Sequence, residues 1–382
     1  YKRDARLLVR AGMSGGKGIP ETIGAHPCVF ATLTAPSFGP VHSRRVRGKT
    51  VLPCRPRRDA HARRCPHGHD ISCPTRHVEE DPRLGQPLCF GCYDYDTAVL
   101  FNAYAGDLWR RFTTYLPRHL ARLAGVTQKE LRAVLRIRYV KVAEYQARGI
   151  VHFHAVIRLD APGEDYQPPP ARYTAALLCD AIGQAAAVTV VTGSGVPLGF
   201  GTQTDARAIR QGADLPGTGQ ALSGQAVANY IAKYATKTLT VPGVPDTRIR
   251  SAFDLRGLRC SRHYQEMITA AWRLGSRQET GEPRFRQWAH MLGYGGHFLT
   301  KSRRYSITFG QLRTARKDHR RTQRHPSGER DPWGRPLDEH VVLVVASWAY
   351  AGTGYTHGSG AELATASAAW ALEHQRQADT AA

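Results

Sequence analysis

Apolar and polar residues alternate most regularly over Leu135–Tyr145 and Ile150–Leu159, two stretches joined by the turn-like Gln146–Gly149. Period-two alternation sends one set of side chains to each face of an extended strand, so this pair predicts an antiparallel hairpin. A further strand is predicted over Cys28–Thr34, rich in β-formers and ended by Ala35-Pro36, with other strand signals around Val188–Val191 and Gly199–Ile209. Helical spacing predicts helices over Asp4–Ala11, Tyr173–Ala186, Gln225–Thr238, Tyr264–Leu274 and Arg284–Leu292. Val99, Leu100, Ala103, Leu108 and Phe112 recur at the same spacing, which predicts one or two helices over Asp96–Leu123, broken near Pro117. Pro162–Pro170 reads as a linker and 212–219 as a Gly-rich loop; residues 325–340 are polar, followed by a strand candidate at 341–349 and a short helix at 361–375. No internal repeat is visible.

These elements make an α+β protein with a central antiparallel sheet and flanking helices. At 382 residues, the chain suggests two or three structural units at about 150 residues each. The apolar run at Val341–Ala346 falls short of the ~18 residues a membrane span needs. Residues 1–27 lack the apolar stretch of a secretory leader, so a cytoplasmic protein with no membrane partner is expected.

Charge adds a partner. The chain carries 53 Lys and Arg against 31 Asp and Glu, a net charge of +22, which points to a polyanion. Two runs concentrate it. Residues 44–64 include Arg44, Arg45, Arg57 and Arg58 beside one acid, and residues 301–324 include Arg303 and Arg304 beside Asp318. With Lys237 these are candidate contacts to nucleic-acid phosphates.

Three residue groups carry candidate chemistry. In His152-Phe153-His154 both imidazoles share one strand face, while Phe153 turns to the core. Glu144 lies across the short turn, where antiparallel pairing would bring its carboxylate to them. That set suits a divalent cation with positions left open; Gln146 is a second candidate for the third ligand. Tyr230 and Tyr234 share a helix face, with Lys233 and Lys237 on an adjacent one, an arrangement that could favour a phenolate nucleophile or simply pack a core. Five of eight cysteines crowd into 54–92. Cys65, Cys73, Cys89 and Cys92 offer four thiolates for a tetrahedral Zn2+, with Cys54, His67, His69 or His77 able to replace one of them. Cys28, Cys179 and Cys260 read as ordinary buried residues. Gly199-Phe200-Gly201 lacks the Lys-Ser/Thr of a phosphate-binding loop, so any helicase would be a separate partner.

Phe30-Ala31-Thr32-Leu33-Thr34-Ala35-Pro36, the His-hydrophobic-His strand and the Tyr-x-x-Lys-Tyr helix resemble, in this order, the three motifs of HUH endonucleases. His26–Phe30, Asp81–Leu88 and Leu108–Phe112 extend the resemblance, over about residues 5–320, to rolling-circle replication initiators of actinomycete plasmids and integrative conjugative elements. It implies an HUH-type sheet in which His152, His154 and Glu144 hold Mg2+ or Mn2+ and Tyr230 or Tyr234 attacks single-stranded or hairpin origin DNA. The products would be a 5′-phosphotyrosine and a free 3′-hydroxyl that primes synthesis, with Lys233 against the phosphate and host helicase and polymerase as partners. The implied organisation is a first part of the HUH domain (1–38), a zinc-binding insertion (39–95), the catalytic core (96–245), a basic helical extension (246–325) and a C-terminal segment (326–382). The rival readings are a non-catalytic zinc-dependent DNA-binding regulator and an HUH relaxase or transposase.

Overall fold

The computed structural model describes residues 2–57, 64–163, 165–210, 222–223, 227, 244, 247–276 and 284–324. The chain divides into a unit Tyr1–Lys317 and a second unit Asp318–Ala382. The described strands are β1 (Cys28–Leu33), β2 (Arg45–Arg47), β3 (Thr50–Leu52), β4 (Arg136–Tyr145), β5 (Val151–Asp160), β6 (Val190–Gly193), β7 (Val196–Gly199), β8 (Thr204–Arg210), β9 (Leu222–Ser223) and β10 (Leu299–Lys301). The described α-helices are α1 (Lys2–Ser14), α2 (Tyr95–Leu123), α3 (Gln128–Val134), α4 (Ala175–Val188), α5 (Ala252–Arg256), α6 (Arg262–Leu274), α7 (Arg284–Gln287) and α8 (Phe309–Arg324). None of them is long and apolar enough to cross a membrane.

One sheet organises the first unit, with strand order β10-β4-β5-β1-β8-β9. Its pairs are antiparallel apart from the short parallel pairing of β8 with β9. Alternation decides its two faces. Val29, Ala31 and Leu33 of β1 and Phe153, Ala155, Ile157 and Leu159 of β5 turn to the back. There they bury against Trp109, Phe112 and Leu116 of α2 and Leu178, Ile182 and Ala185 of α4. The front holds Phe30, Val140, Val142 and Val156, covered by Ala5, Leu8, Val9 and Met13 of α1, by Tyr305, and by the helical residue Val227. Farther along the same face, the wholly buried Arg158 donates from Nε and Nη2 to the Asp160 carboxylate at 2.6 and 2.8 Å, and from Nη1 to the carbonyls of Gly12 and Tyr305. His26 Nδ1 lies 2.8 Å from the same carboxylate. Such a pair tolerates burial because its polar atoms are met on all sides.

The structure departs from the sequence pattern in several places. The helix expected over Arg284–Leu292 stops at Gln287 and gives way to a 3-10 turn at Ala289–Met291, closed by Leu292 in a left-handed conformation. α2 runs unbroken through Pro117, because Phe112, Leu116 and Leu120 on either side are buried on the sheet. That packing outweighs the ~3 kcal/mol a helix-interior proline costs. β2, β3 and β10 span only three residues each, too few for alternation to register. The strand signal near Gly199–Ile209 divides into β7 and β8. Of the expected helix over 225–238 only Val227 lies among the described residues; the Gly-rich loop at 212–219 and the elements at 341–349 and 361–375 lie outside them.

The turn between β4 and β5 is held from several sides. Asn102, buried in α2, donates to the carbonyls of Gly149 and Leu292 and accepts from the amide of Val151, each at 2.9 Å. His263 of α6 places Nε2 at 3.0 Å from the Arg148 carbonyl and Nδ1 at 3.2 Å from the Tyr95 hydroxyl. Burial pushes His263 from 6.5 down to about 4, so it is neutral in the folded protein. An unfolded chain takes up this proton between those two values, and stability is lost as pH falls through that window. The stability advantage of the wild type over His263→Gln is therefore expected to shrink by about 2 kcal/mol between pH 7 and pH 5. Urea unfolding of both proteins at the two pH values measures it.

Candidate functional site

The register of β4 with β5 sets Glu144 opposite His152 and Val142 opposite His154, while on the other side Thr32 of β1 faces His154. Directly opposed and diagonal residues of an antiparallel pair share a face. The consequence is a cluster of three donors: Glu144 Oε2 lies 3.2 Å from His152 Nε2 and 3.4 Å from His154 Nε2. His154 is buried while Glu144 and His152 are part-exposed, so the cluster opens on one side. His154 turns Nδ1 to the Thr32 hydroxyl at 3.0 Å and stacks on Phe30 at 5.6 Å between ring centres. With one nitrogen held by Thr32, the other points at Glu144.

Burial works to raise the Glu144 carboxyl, but hydrogen bonds from His152 and His154, with their charges, carry it down to about 2. Burial also lowers His154. An ionised carboxylate beside a neutral imidazole is the protonation state in which both can ligate a cation. One carboxylate and two imidazoles leave coordination positions for substrate oxygens or water. Gln146, the other candidate third ligand, is instead in the turn, accepting from Arg148 Nε at 2.9 Å through its side-chain oxygen.

The segment 39–95, expected as an insertion, groups its candidate ligands differently from the sequence spacing. Cys65, Cys89 and Cys92 come together, but their fourth neighbour is His67, not Cys73. Cys73 joins His42, Cys54 and His77 in a separate set. In each set the candidate ligand atoms lie within 4.8 Å of one another. His69 belongs to neither. Position 42 gave no sequence signal, because the β2–β3 hairpin that returns the chain from His42 to Cys54 is itself too short to register.

This insertion is built against the turn that leads into β5. The amide of His42 donates to Gln86 and that of Gly85 to His42, at 2.8 and 2.9 Å. Gly85 has φ +85°, and a Cβ there would stand 2.1 Å from the Ala147 carbonyl oxygen. Only glycine permits both the left-handed backbone and this approach. Tyr264 donates to the same carbonyl at 2.9 Å, and Arg148 donates to the carbonyls of Pro36 and Ala35. Sequence reasoning missed Thr32 as a support of His154, and Asn102, His263 and Gly85 as supports of this corner, since each acts through a neighbour distant in the chain.

Of the candidate phosphate contacts, Arg44, Arg45 and Arg303 are exposed. Arg57 is engaged by Asp70 at 2.5 Å, and Arg304 is half-buried and donates to the Gly163 carbonyl at 3.0 Å. Arg58, Tyr230, Lys233, Tyr234 and Lys237 lie outside the described residues.

Against known proteins, the chain matches over residues 1–369 the family described as replication initiator protein, pSAM2. It is 44% identical over 379 residues to a replication initiator protein from Streptomyces ambofaciens, covering 96% of this chain and 75% of the relative. No solved structure matches it.

The hydrogen bond from Thr32 to His154 carries a direct test. Outer hydrogen-bond partners of a metal-ligating histidine are typically worth 10–100-fold in affinity. Thr32→Val is expected to weaken Mn2+ binding by about 10-fold or more, and Thr32→Ser to restore most of it, as measured by calorimetric titration with Mn2+.

Proposed function

The chain belongs to the family of replication initiator proteins described for pSAM2, and from that premise we propose that it starts rolling-circle replication by nicking and rejoining single-stranded or extruded origin DNA. The observation that carries the mechanism is the convergence of Glu144 Oε2 with the Nε2 atoms of His152 and His154 on one open side of the sheet. These three residues would hold a divalent cation, Mg2+ or Mn2+, which would polarise the scissile phosphate and offset charge on the pentavalent transition state.

The nucleophile in this reading is the phenol oxygen of Tyr230 or Tyr234. It attacks phosphorus and gives up its proton; the 3′-oxygen leaves and takes one, so a phosphotyrosine forms as the phosphodiester breaks. Rejoining reverses both changes. The sequence supports this assignment: Tyr230 and Tyr234 follow the His-hydrophobic-His strand in the order of the motifs the chain resembles. Lys233 would hold the phosphate and Lys237 the adjoining strand. The exposed Arg44, Arg45 and Arg303 would supply salt-dependent contacts along the DNA, with host helicase and polymerase extending the freed 3′-hydroxyl.

The test uses labelled single-stranded oligonucleotides spanning the parent replicon, incubated with the protein and Mn2+ and resolved on a denaturing gel. Label migrating with protein is expected. It is expected to vanish with EDTA and in the Tyr230→Phe, Tyr234→Phe double variant, and to fall about a thousandfold in His152→Ala, the scale of several kcal/mol of lost charge stabilisation. Tight binding without covalent label, across the whole pool and with either metal, would instead mark a non-catalytic DNA-binding regulator.

A further inference from the structure

We infer that the insertion binds two zinc ions rather than one, in interleaved sites: His42, Cys54, Cys73 and His77 hold the first, and Cys65, His67, Cys89 and Cys92 the second. Bonds of ~2.3 Å to sulfur and ~2.0–2.1 Å to nitrogen give a zinc tetrahedron edges of about 3.8 Å between sulfurs, about 3.6 Å between sulfur and nitrogen and about 3.4 Å between nitrogens. In the first set His42 Nδ1 is 3.2 Å from His77 Nε2, and Cys73 Sγ is 3.5 Å from that same nitrogen. In the second, His67 Nδ1 is 3.2 Å from Cys92 Sγ.

The surroundings are those of ligands. His77 presents its other nitrogen, Nδ1, to Asp81 Oδ2 at 2.7 Å, the carboxylate partner that orients a metal-bound imidazole. Cys54 Sγ accepts from the Ser43 amide at 3.2 Å. His67 lies over Gly91, where a Cβ would come within 2.8 Å of its Nε2, so the glycine preceding Cys92 leaves room for the ring.

Burial supplies the energetic reason. Between Gly39 and Cys92 the buried residues among those described are Cys54, Cys73, His77, Gly85, Pro87 and Cys89. Four of these six are sulfur or imidazole donors, so this segment has almost no apolar core, and a segment of this size without one needs metal or cross-links to fold. Chain order then interleaves the sites. A ligand pair of the first (His42, Cys54) is followed by a pair of the second (Cys65, His67), again by one of the first (Cys73, His77), and finally by one of the second (Cys89, Cys92). Each ion therefore closes a loop containing ligands of the other, and both are needed to hold the insertion against the β4–β5 turn.

The experiment uses the full chain purified in zinc-supplemented, chelator-free buffer. Inductively coupled plasma mass spectrometry is expected to find two zinc ions per chain, and X-ray absorption at the zinc edge five sulfurs and three nitrogens shared over the two. The Glu144→Ala, His152→Ala variant is expected to retain both ions, which separates them from the sheet cluster, whereas His42→Ala, His77→Ala retains at most one. One zinc per chain in the unaltered protein overturns the inference, as does all-sulfur coordination or retention of two ions by His42→Ala, His77→Ala. Should that variant fail to fold, the stoichiometry and coordination of the unaltered chain decide the matter alone.

Discussion

The candidate catalytic face depends on one constraint, the antiparallel register of β4 and β5. With Glu144 opposite His152, three polar donors converge at the open end of a face whose middle, around Phe30, Val140, Val142 and Val156, is apolar and covered. A slip of one residue would turn His152 and His154 into the back layer against α2 and α4, and expose Phe153. Phe153 prevents it: its ring packs on Trp109 and Phe200, at 5.6 and 6.3 Å between centres. The residue between the two histidines thus anchors the strand by the same alternation that aims them outward.

Both ends of this hairpin are held by polar groups in an otherwise apolar setting. At the turn, Asn102, His263, Tyr264 and Arg148 satisfy backbone atoms that burial would leave unmet, each omission costing roughly 1–3 kcal/mol. At the far end, Arg158 and Asp160 tie β5 to α1 and to Tyr305. The insertion joins the turn through the approach of Gly85 to Ala147, so disorder in the insertion would reach the strand that carries the histidines. A basic, core-poor segment is thereby made part of the scaffold of the site.

The two kinds of donor set are chemically distinct. Glu144, His152 and His154 offer one oxygen and two nitrogens on an open face, suited to a cation that must exchange ligands with phosphate oxygens. The insertion offers thiolates and imidazoles in closed fours, which select zinc and leave no position for substrate. In the proposed reading, softness of the ligands and completeness of the shell would keep a structural metal and a catalytic one apart within the same chain.

Much of this was legible in the residues. Period-two alternation located β4 and β5, the spacing of His152, Phe153 and His154 implied two imidazoles on one face, and the position of Glu144 across a short turn implied its convergence on them. The density of cysteines pointed to candidate metal ligands in 39–95, which the structure gathers into two sets, and the ordered motifs implied the family to which the chain belongs. What sequence could not supply was partnership between distant residues. Spacing favoured Cys73 beside Cys65, whereas the β2–β3 hairpin and the pairing of Arg55 with Cys73 deliver Cys73 to His42 and Cys54. Pro117 signalled a break, whereas the sheet beneath α2 carries the helix through. Local pattern records the period of an element and the chemistry it displays, because both are written in neighbouring residues. Which Cys meets which His, and which glycine must yield to which carbonyl, depends on chain closure over tens of residues, and only the packed tertiary structure decides it.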